Sequence, residues 1–293
     1  MGGQIPEKLC GRTLSAADVE TIRREIRLAE PPMRSEIARR VCRALEWTNA
    51  LGEPKLMSAR VGLLRLHRAG SIELPAPTGG NGNGRALKLG PKEWPQERPL
   101  GGSAGALSAL RLSPVTDKGA SRLWNGLIDR YHYLGYTPLP GAQLRYLIAS
   151  DQGLLGALGF GAAAWKVAVR DRWIGWERAA REAHLQRVVN NARFLLLPWI
   201  RVKNLASKVL ALSAMQVAED FAARYGERPV LLETFVEIPR FRGTCYRAAN
   251  WRYLGETQGR GKCDVAHRSA LPRKAVYVYP LTADFRRALG VAA

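Results

Sequence analysis

ARFLLLPWIRVKNLASKVLALSAMQVAEDFAARYGERPVLLETFVE, residues 192–237, is the stretch that decides the fold. Its first nine residues, ARFLLLPWI, form a largely apolar run of strand length, ended by the basic turn that follows. NLASKVLALSAMQVAEDFAARYG then keeps apolar residues at helical spacing until Gly226 stops it, since glycine readily takes the left-handed conformation that ends a helix. PVLLETFVE is a second buried strand. A strand, a long helix and a strand in succession define an α/β unit.

Working outward, GTCYRAANW reads as a short helix, RYLGETQGRG as a strand end and loop, and AVYVYPL as a last strand. On the N-terminal side, VTDKGASRLWNGLIDRYHYLGY carries an amphipathic helix ending near Gly135. QLRYLIAS and GLLGALGFGAAAWKVAV follow as two strands of a hairpin about the DQG turn. RDRWIGWERAAREAHLQRVV resumes a largely helical pattern.

The clearest boundary is the Pro-, Gly- and Asn-rich stretch around residues 75–105, where hydrophobic periodicity is lost. The expected division is a helical module over 1–75, a linker over 76–110 and an α/β domain over 111–293. Within the module Ser15 is placed to cap a helix bearing Val19, Ile22 and Ile26, and Ser35 precedes a second apolar stripe of Ile37, Val41 and Leu45. KLMSARVGLLRLHRAG makes a further amphipathic helix and SIELPAP a strand. That order suggests a helix-turn-helix or winged-helix module whose last helix presents Lys55, Arg60, Arg65 and His67; a plain helical packing module with a solvated basic face is the equal alternative.

The chain has 293 residues, 46% of them hydrophobic, enough for a sizeable core. Lys and Arg number 45 against 25 Asp and Glu, a formal charge of +20. Such an excess favours phosphate-bearing partners, nucleic acid first and DNA before RNA, against the bland reading of a solubilising surface. MGGQIPEKLCGRTLS lacks the apolar core of a secretory signal and the apolar runs are too short to span a bilayer, so a cytoplasmic protein with no membrane partner is expected. Cys10, Cys42, Cys245 and Cys263 are scattered without CxxC spacing; Cys263 and His267 would make only half a metal site, and no metal is expected.

Helix, hairpin, buried strand, long helix, buried strand, short helix and last strand is the element order of the GNAT N-acyltransferases, and the segment YRAANWRYLG, Tyr246 to Gly255, resembles their late Tyr-x-x-x-Gly-Phe-x-x-x-Gly segment. Asn250 stands at the first glycine position and Trp251 at the phenylalanine; asparagine tolerates positive φ better than most residues. The expected fold class is therefore α/β (α+β), a GNAT-like mixed central sheet flanked by helices. The resemblance implies that Tyr246 protonates a leaving thiolate, beside the alternative of a core tyrosine. It also implies an acyl-CoA-type donor, but the glycines that let backbone N–H groups approach a pyrophosphate are missing from RVKNLASK. Arg201, Lys203, Asn204 and Ser207 leave either a side-chain anion site or ordinary capping with solvated charge.

RYHYLG, LGALGFGAAAWKVAVRDRWIGW, VVNNARFLLLPWIRVKNLAS, LLETFVE and FRGTCYRAANWRYLGETQGRG together resemble the Druantia anti-phage protein DruA family, members of which also occur in or beside transposases. The resemblance implies phage defence or mobile-element biology, with defence-system or transposase proteins as partners. A more distant similarity, to the Mom DNA-modification protein of phage Mu, implies a GNAT-like fold that handles DNA bases without a glycine loop.

The candidate cleft gathers Asp171, Trp173, Trp176, Asn190, Asn191, Glu233, Glu237 and Tyr246. Trp173 and Trp176, one helical turn apart beside Arg170, Arg172 and Arg178, suit stacking of bases above a phosphate groove, or serve as core anchors; Arg242 joins them as a phosphate contact. Glu233 interrupts an apolar strand, so its carboxylate is either a base or is paired with an arginine such as Arg242 or Arg247. Asp171 is read at a strand end, and His132 and His184 as packing residues in helices. Three functions compete: group transfer onto nucleic acid, a non-catalytic nucleic-acid recognition subunit, and acyl transfer to a small amine or protein. No Walker motif or DDE-type carboxylate triad is recognisable.

Overall fold

The computed structural model describes residues 10, 12–77, 90–91, 93–259 and 272–291. The chain divides into two compact units, Met1–Leu87 and Lys88–Ala293. The Cys263–His267 pair lies outside the described residues.

In the smaller unit α1 (Ala16–Arg27), α2 (Arg34–Ala44) and α3 (Leu56–Arg68) pack their apolar stripes together around Ile22, Ile37, Val41, Leu63 and Leu66. Ser15 caps α1 as its sequence suggests: its hydroxyl accepts from the Asp18 N–H at 3.1 Å while Asp18 accepts from the Ser15 N–H at 2.8 Å. Ser35 lies inside α2, whose cap is Met33.

SIELPAP, expected as a strand, forms none. Ile72 and Leu74 are buried with the alternation of a strand, but the main-chain carbonyls find side chains instead of a partner strand. Arg23 donates to the Ser71 carbonyl at 2.8 Å and Arg34 to that of Pro75 at 2.7 Å. His67 binds this segment too, its Nδ1 accepting from the Leu74 N–H at 3.3 Å. The smaller unit is helical, without a wing in its described residues.

The larger unit is built on a seven-stranded sheet. In chain order the elements are β1 (Arg111–Pro114), α4 (Lys118–Tyr131), β2 (Leu144–Ser150), β3 (Gly153–Ala162), α5 (Ala168–Ile174), α6 (Arg178–His184), β4 (Val188–Leu196), α7 (Leu205–Tyr225), β5 (Leu231–Glu237), α8 (Thr244–Ala248), β6 (Arg252–Glu256), β7 (Lys274–Pro280) and α9 (Phe285–Ala288). Strand order across the sheet is β1-β2-β3-β4-β5-β7-β6. Neighbours run antiparallel except β4 and β5, which are joined by α7 as a crossover and are parallel. One parallel pair in the middle of an otherwise antiparallel sheet, with helices on it, is the GNAT-like architecture expected of the sequence.

Several boundaries differ from the sequence reading. β3 stops at Ala162, and AAAWKVAV turns away into α5. RDRWIGW is broken by Gly175 at φ +84°, so Trp176 lies beyond the helix that holds Trp173. His132 is the residue that ends α4. Part of the expected linker is built into the larger unit: Leu100 and Ser103 bridge Ile200 and Lys203 in parallel, and Ala104 and Leu107 are buried in the main core.

Candidate functional site

β4 and β5 pair over only three positions, Val188 with Leu231, Val189 with Leu232 and Asn190 with Glu233. Beyond them β4 continues along β3 and β5 along β7, so the sheet splits. A β-bulge puts Ala192 between residues paired to Gly159 and Phe160, adding twist where β4 departs.

The short helix α8 fills the apex of the split with Tyr246. Its hydroxyl donates to Asn191 Oδ1 at 2.7 Å and lies 3.4 Å from Thr234 Oγ1, which itself donates to the Asn191 carbonyl at 3.0 Å. Asn191 Nδ2 donates to the carbonyls of Gly159 and Arg193, each at 3.2 Å, which fixes Oδ1 as the end facing the phenol. Burial raises the Tyr246 pKa well above the ordinary phenol value, with Thr234 opposing, so the group carries its proton at neutral pH.

Above this floor opens a cleft of about 840 Å³. Its walls carry Tyr133, Phe241 and Phe194 and the cations Arg193, Arg240, Arg242 and Lys274. Arg240 lies over the Tyr133 ring at 4.7 Å, Phe241 meets Tyr133 edge-on at 5.1 Å, and Phe241 is 45% exposed at the rim. Among the described residues none of the four cations makes an ion pair. His132, stacked on Tyr133 at 4.9 Å, has its pKa lowered to about 4 by burial and by Arg193 and Arg240, so it adds no charge at neutral pH.

Glu233 and Asp171 belong to a different constellation. Glu233 is fully buried, is absent from the cleft lining, and is paired with Arg170 instead of Arg242 or Arg247. Glu233 Oε2 accepts from Arg170 Nη1 at 2.7 Å and Oε1 from the Ala164 N–H at 2.8 Å. Asp171 lies in α5, not at a strand end. Its Oδ1 accepts from Arg170 Nη2 at 2.7 Å and Trp176 Nε1 at 3.1 Å, and its Oδ2 accepts from the Val167 N–H at 3.1 Å. Burial pushes the Glu233 carboxyl up, against the guanidinium beside it. Arg170, although burial works against its charge, is held charged above the ordinary arginine value by Glu233 and Asp171. Every strong acceptor and donor is used, which makes this a strut tying α5 to the sheet.

The tryptophans form no platform for bases. Trp176 is buried beside Arg170, and Trp173 stacks on Phe285 at 5.0 Å with Arg286 over it at 4.9 Å. Arg170 is fully buried within the strut; Arg172 is exposed on α5, and Lys55 and Arg60 are exposed in the smaller unit. Arg242 does line the cleft. The residues missed were Thr234, Arg193, Arg240, Phe241 and Lys274, and the alternation of Arg240, Phe241 and Arg242 in one loop was the signal available.

A second depression of about 500 Å³, at the start of α7, is lined by Ser103, Asn204, Ser207, Lys208, Asn250 and Tyr279 among others. Arg201 and Lys203 are exposed outside it. Asn204 and Asn250 both stand at positive φ, +64° and +63°, so both turns keep a glycine-like shape without a glycine. Asn204 caps nothing with its side chain. The Arg201 and Lys203 N–H groups donate to the carbonyls of Leu100 at 2.7 Å and Gly102 at 2.8 Å. A pyrophosphate wrapped by the loop would find those two amides engaged, so the residues present do not fit a CoA-type donor held in the glycine-loop manner. Among the described residues there is no group of three or more His, Cys, Asp or Glu able to hold a metal ion, and no helix long and apolar enough to cross a membrane.

A mixed sheet split at its one parallel pair, with a tyrosine at the apex and a crossover helix joining the two parted strands, defines a GNAT-like domain. The fold assignment rests on that topology. The chain belongs to the DruA family: the model of that family, Druantia protein DruA, matches residues 95–270. Druantia protein DruA of Escherichia coli (strain UMEA 4076-1) is 31% identical over 125 residues, covering 40% of this chain and 31% of that relative. The match thus spans less than a third of the curated relative's length. Among solved structures, the N-acyl amino acid synthase FeeM from uncultured soil microbes is 12% identical with a TM-score of 0.35, covering 64% of this chain and 96% of its own. Mycobacterium smegmatis RimJ in complex with CoA-disulfide is 14% identical with a TM-score of 0.34, covering 63% and 93%.

Proposed function

We propose that the larger unit binds nucleic acid, DNA in the first instance, in the split of its sheet, and that the chain serves anti-phage defence together with other defence proteins. Phosphates rest on Arg240, Arg242 and Lys274, and unstacked bases on Phe241 and Tyr133. The observation that carries this reading is the cleft itself: four cations that make no ion pair among the described residues, around aromatic walls at the point where the strands part. Arginine beside an exposed ring offers a charge for the backbone and a π-face for any base, and a concave site of this kind suits a single strand.

The test is fluorescence anisotropy with a labelled single-stranded oligonucleotide across a salt series. Wild type should bind with a steep salt dependence, and Arg240→Gln with Arg242→Gln should weaken binding and lower the slope by about 2. Phe241→Ala should weaken binding by about 1–3 kcal/mol per lost stack without changing the slope. No binding at low salt, or binding indifferent to all three changes, overturns the reading.

Group transfer onto nucleic acid is the second reading, favoured by one observation: the proton-bearing Tyr246 is among the residues lining the cleft, and Asn250, just beyond α8, lines the depression at the start of α7. Mass spectrometry of nucleosides from DNA exposed to the protein in cells separates the two. A new modified nucleoside lost in Tyr246→Phe supports transfer, and unmodified DNA leaves recognition.

A further inference from the structure

We infer that the smaller unit carries a second, separate nucleic-acid site, a duplex-docking face on α3. In this unit five of the seven arginines of α1 and α2 are neutralised locally, Arg23 and Arg27 by Glu20, Arg24 and Arg40 by Glu25, and Arg39 by Glu36; Arg34 donates to the Pro75 carbonyl, and Arg43 is exposed with no ion pair among the described residues. α3 differs. It contains no acidic residue, and Arg60, Arg65 and Arg68, with Lys55 just before it, are exposed and make no ion pair among the described residues.

Met57, Arg60, Val61, Arg65 and Arg68, all exposed, form one stripe with the half-buried Leu64 at spacings of three and four, opposite the buried Ala59, Gly62, Leu63 and Leu66. Met57 is 69% and Val61 43% exposed. A solvated charged face has no use for two large apolar groups along its midline, whereas a helix in the major groove meets phosphates at its edges and thymine methyl groups at its centre. The charge is complementary to a polyanion, and an exposed helix face fits a duplex groove better than a loose strand.

This inference does not depend on the cleft, and its test keeps the two apart. The full chain is titrated against a labelled 20-base-pair duplex (about two helical turns) and against a single strand of equal length, from about 50 to 200 mM salt. Arg60→Gln, Arg65→Gln and Arg68→Gln together should weaken duplex binding and lower its salt slope by about 3, leaving single-strand binding unchanged. Met57→Ser with Val61→Ser should leave the slope unchanged and reduce preference among duplex sequences. Unaltered circular dichroism shows that the variants are folded, since none of these side chains belongs to the core. Duplex affinity indifferent to the triple change overturns the inference and leaves the face to an acidic protein partner. Equal loss for duplex and single strand overturns it as well, by showing one unspecific charge effect.

Discussion

Glu233→Gln is the perturbation on which the assignment of roles turns. Both carboxylate oxygens accept from fixed donors, the Ala164 N–H at 2.8 Å and Arg170 Nη1 at 2.7 Å. Glutamine offers one acceptor and one NH2, so one of those donors would face another donor, and Arg170 would keep only Asp171 as counter-charge. Breaking a buried pair in this way costs about 3–5 kcal/mol. In a domain of about 200 residues each kcal/mol is about 2–4 °C in melting temperature, so the variant should melt roughly 6–20 °C lower. Thermal unfolding of the full chain by circular dichroism at neutral pH reads this directly. Arg170→Met with Glu233→Leu, which removes both charges and leaves Asp171 with Trp176 and Arg181, should recover part of the loss. A Glu233→Gln protein that melts within about 2 °C of wild type would refute the strut. If it also lost protection against phage, the carboxylate would be part of the chemistry.

His132 is neutral in the folded chain down to about pH 4, whereas its ordinary value is 6.5. Below pH 6.5 the unfolded chain takes up a proton that the folded chain refuses until about 4, so stability falls as pH falls through that window; His132→Gln should flatten the decline in melting temperature between pH 7 and 4.5. Gly243→Ala would place a Cβ 2.6 Å from the Tyr277 hydroxyl at a φ of +65° and should cost roughly 2–4 kcal/mol, read by chemical denaturation as an unchanged m with a lower midpoint. A chain beginning at Lys88 should unfold in one cooperative transition, while one beginning at Arg111, without the Leu100 and Ser103 bridges and the buried Ala104 and Leu107, should be destabilised or insoluble.

What could be read from the sequence was local. Gly226 ends α7 and Asn250 takes positive φ, because both properties reside in the residue itself. The strand–helix–strand unit over 192–237 was legible because its apolar runs are long and bounded. The Arg170–Glu233 pair was not, since 63 residues separate partners chosen among many arginines, and Arg242 and Arg247 were nearer in the chain. AAAWKVAV reads as strand by composition, but Glu233 seizes the Ala164 N–H and Asp171 that of Val167, so the chain turns into α5. SIELPAP has the alternation of a strand but no partner strand. β1, four residues long with a proline at its end, carries too few positions to show a period.

The brevity of the β4–β5 ladder leaves main-chain groups facing the cleft. Past Asn190 and Glu233 the facing edges of both strands present peptide groups that no neighbouring strand occupies. A guest lodged there can be gripped by the polypeptide backbone, which every amino acid supplies alike. That share of the binding would survive substitution of the rim side chains Arg240, Phe241 and Arg242, and what those variants retain would measure it.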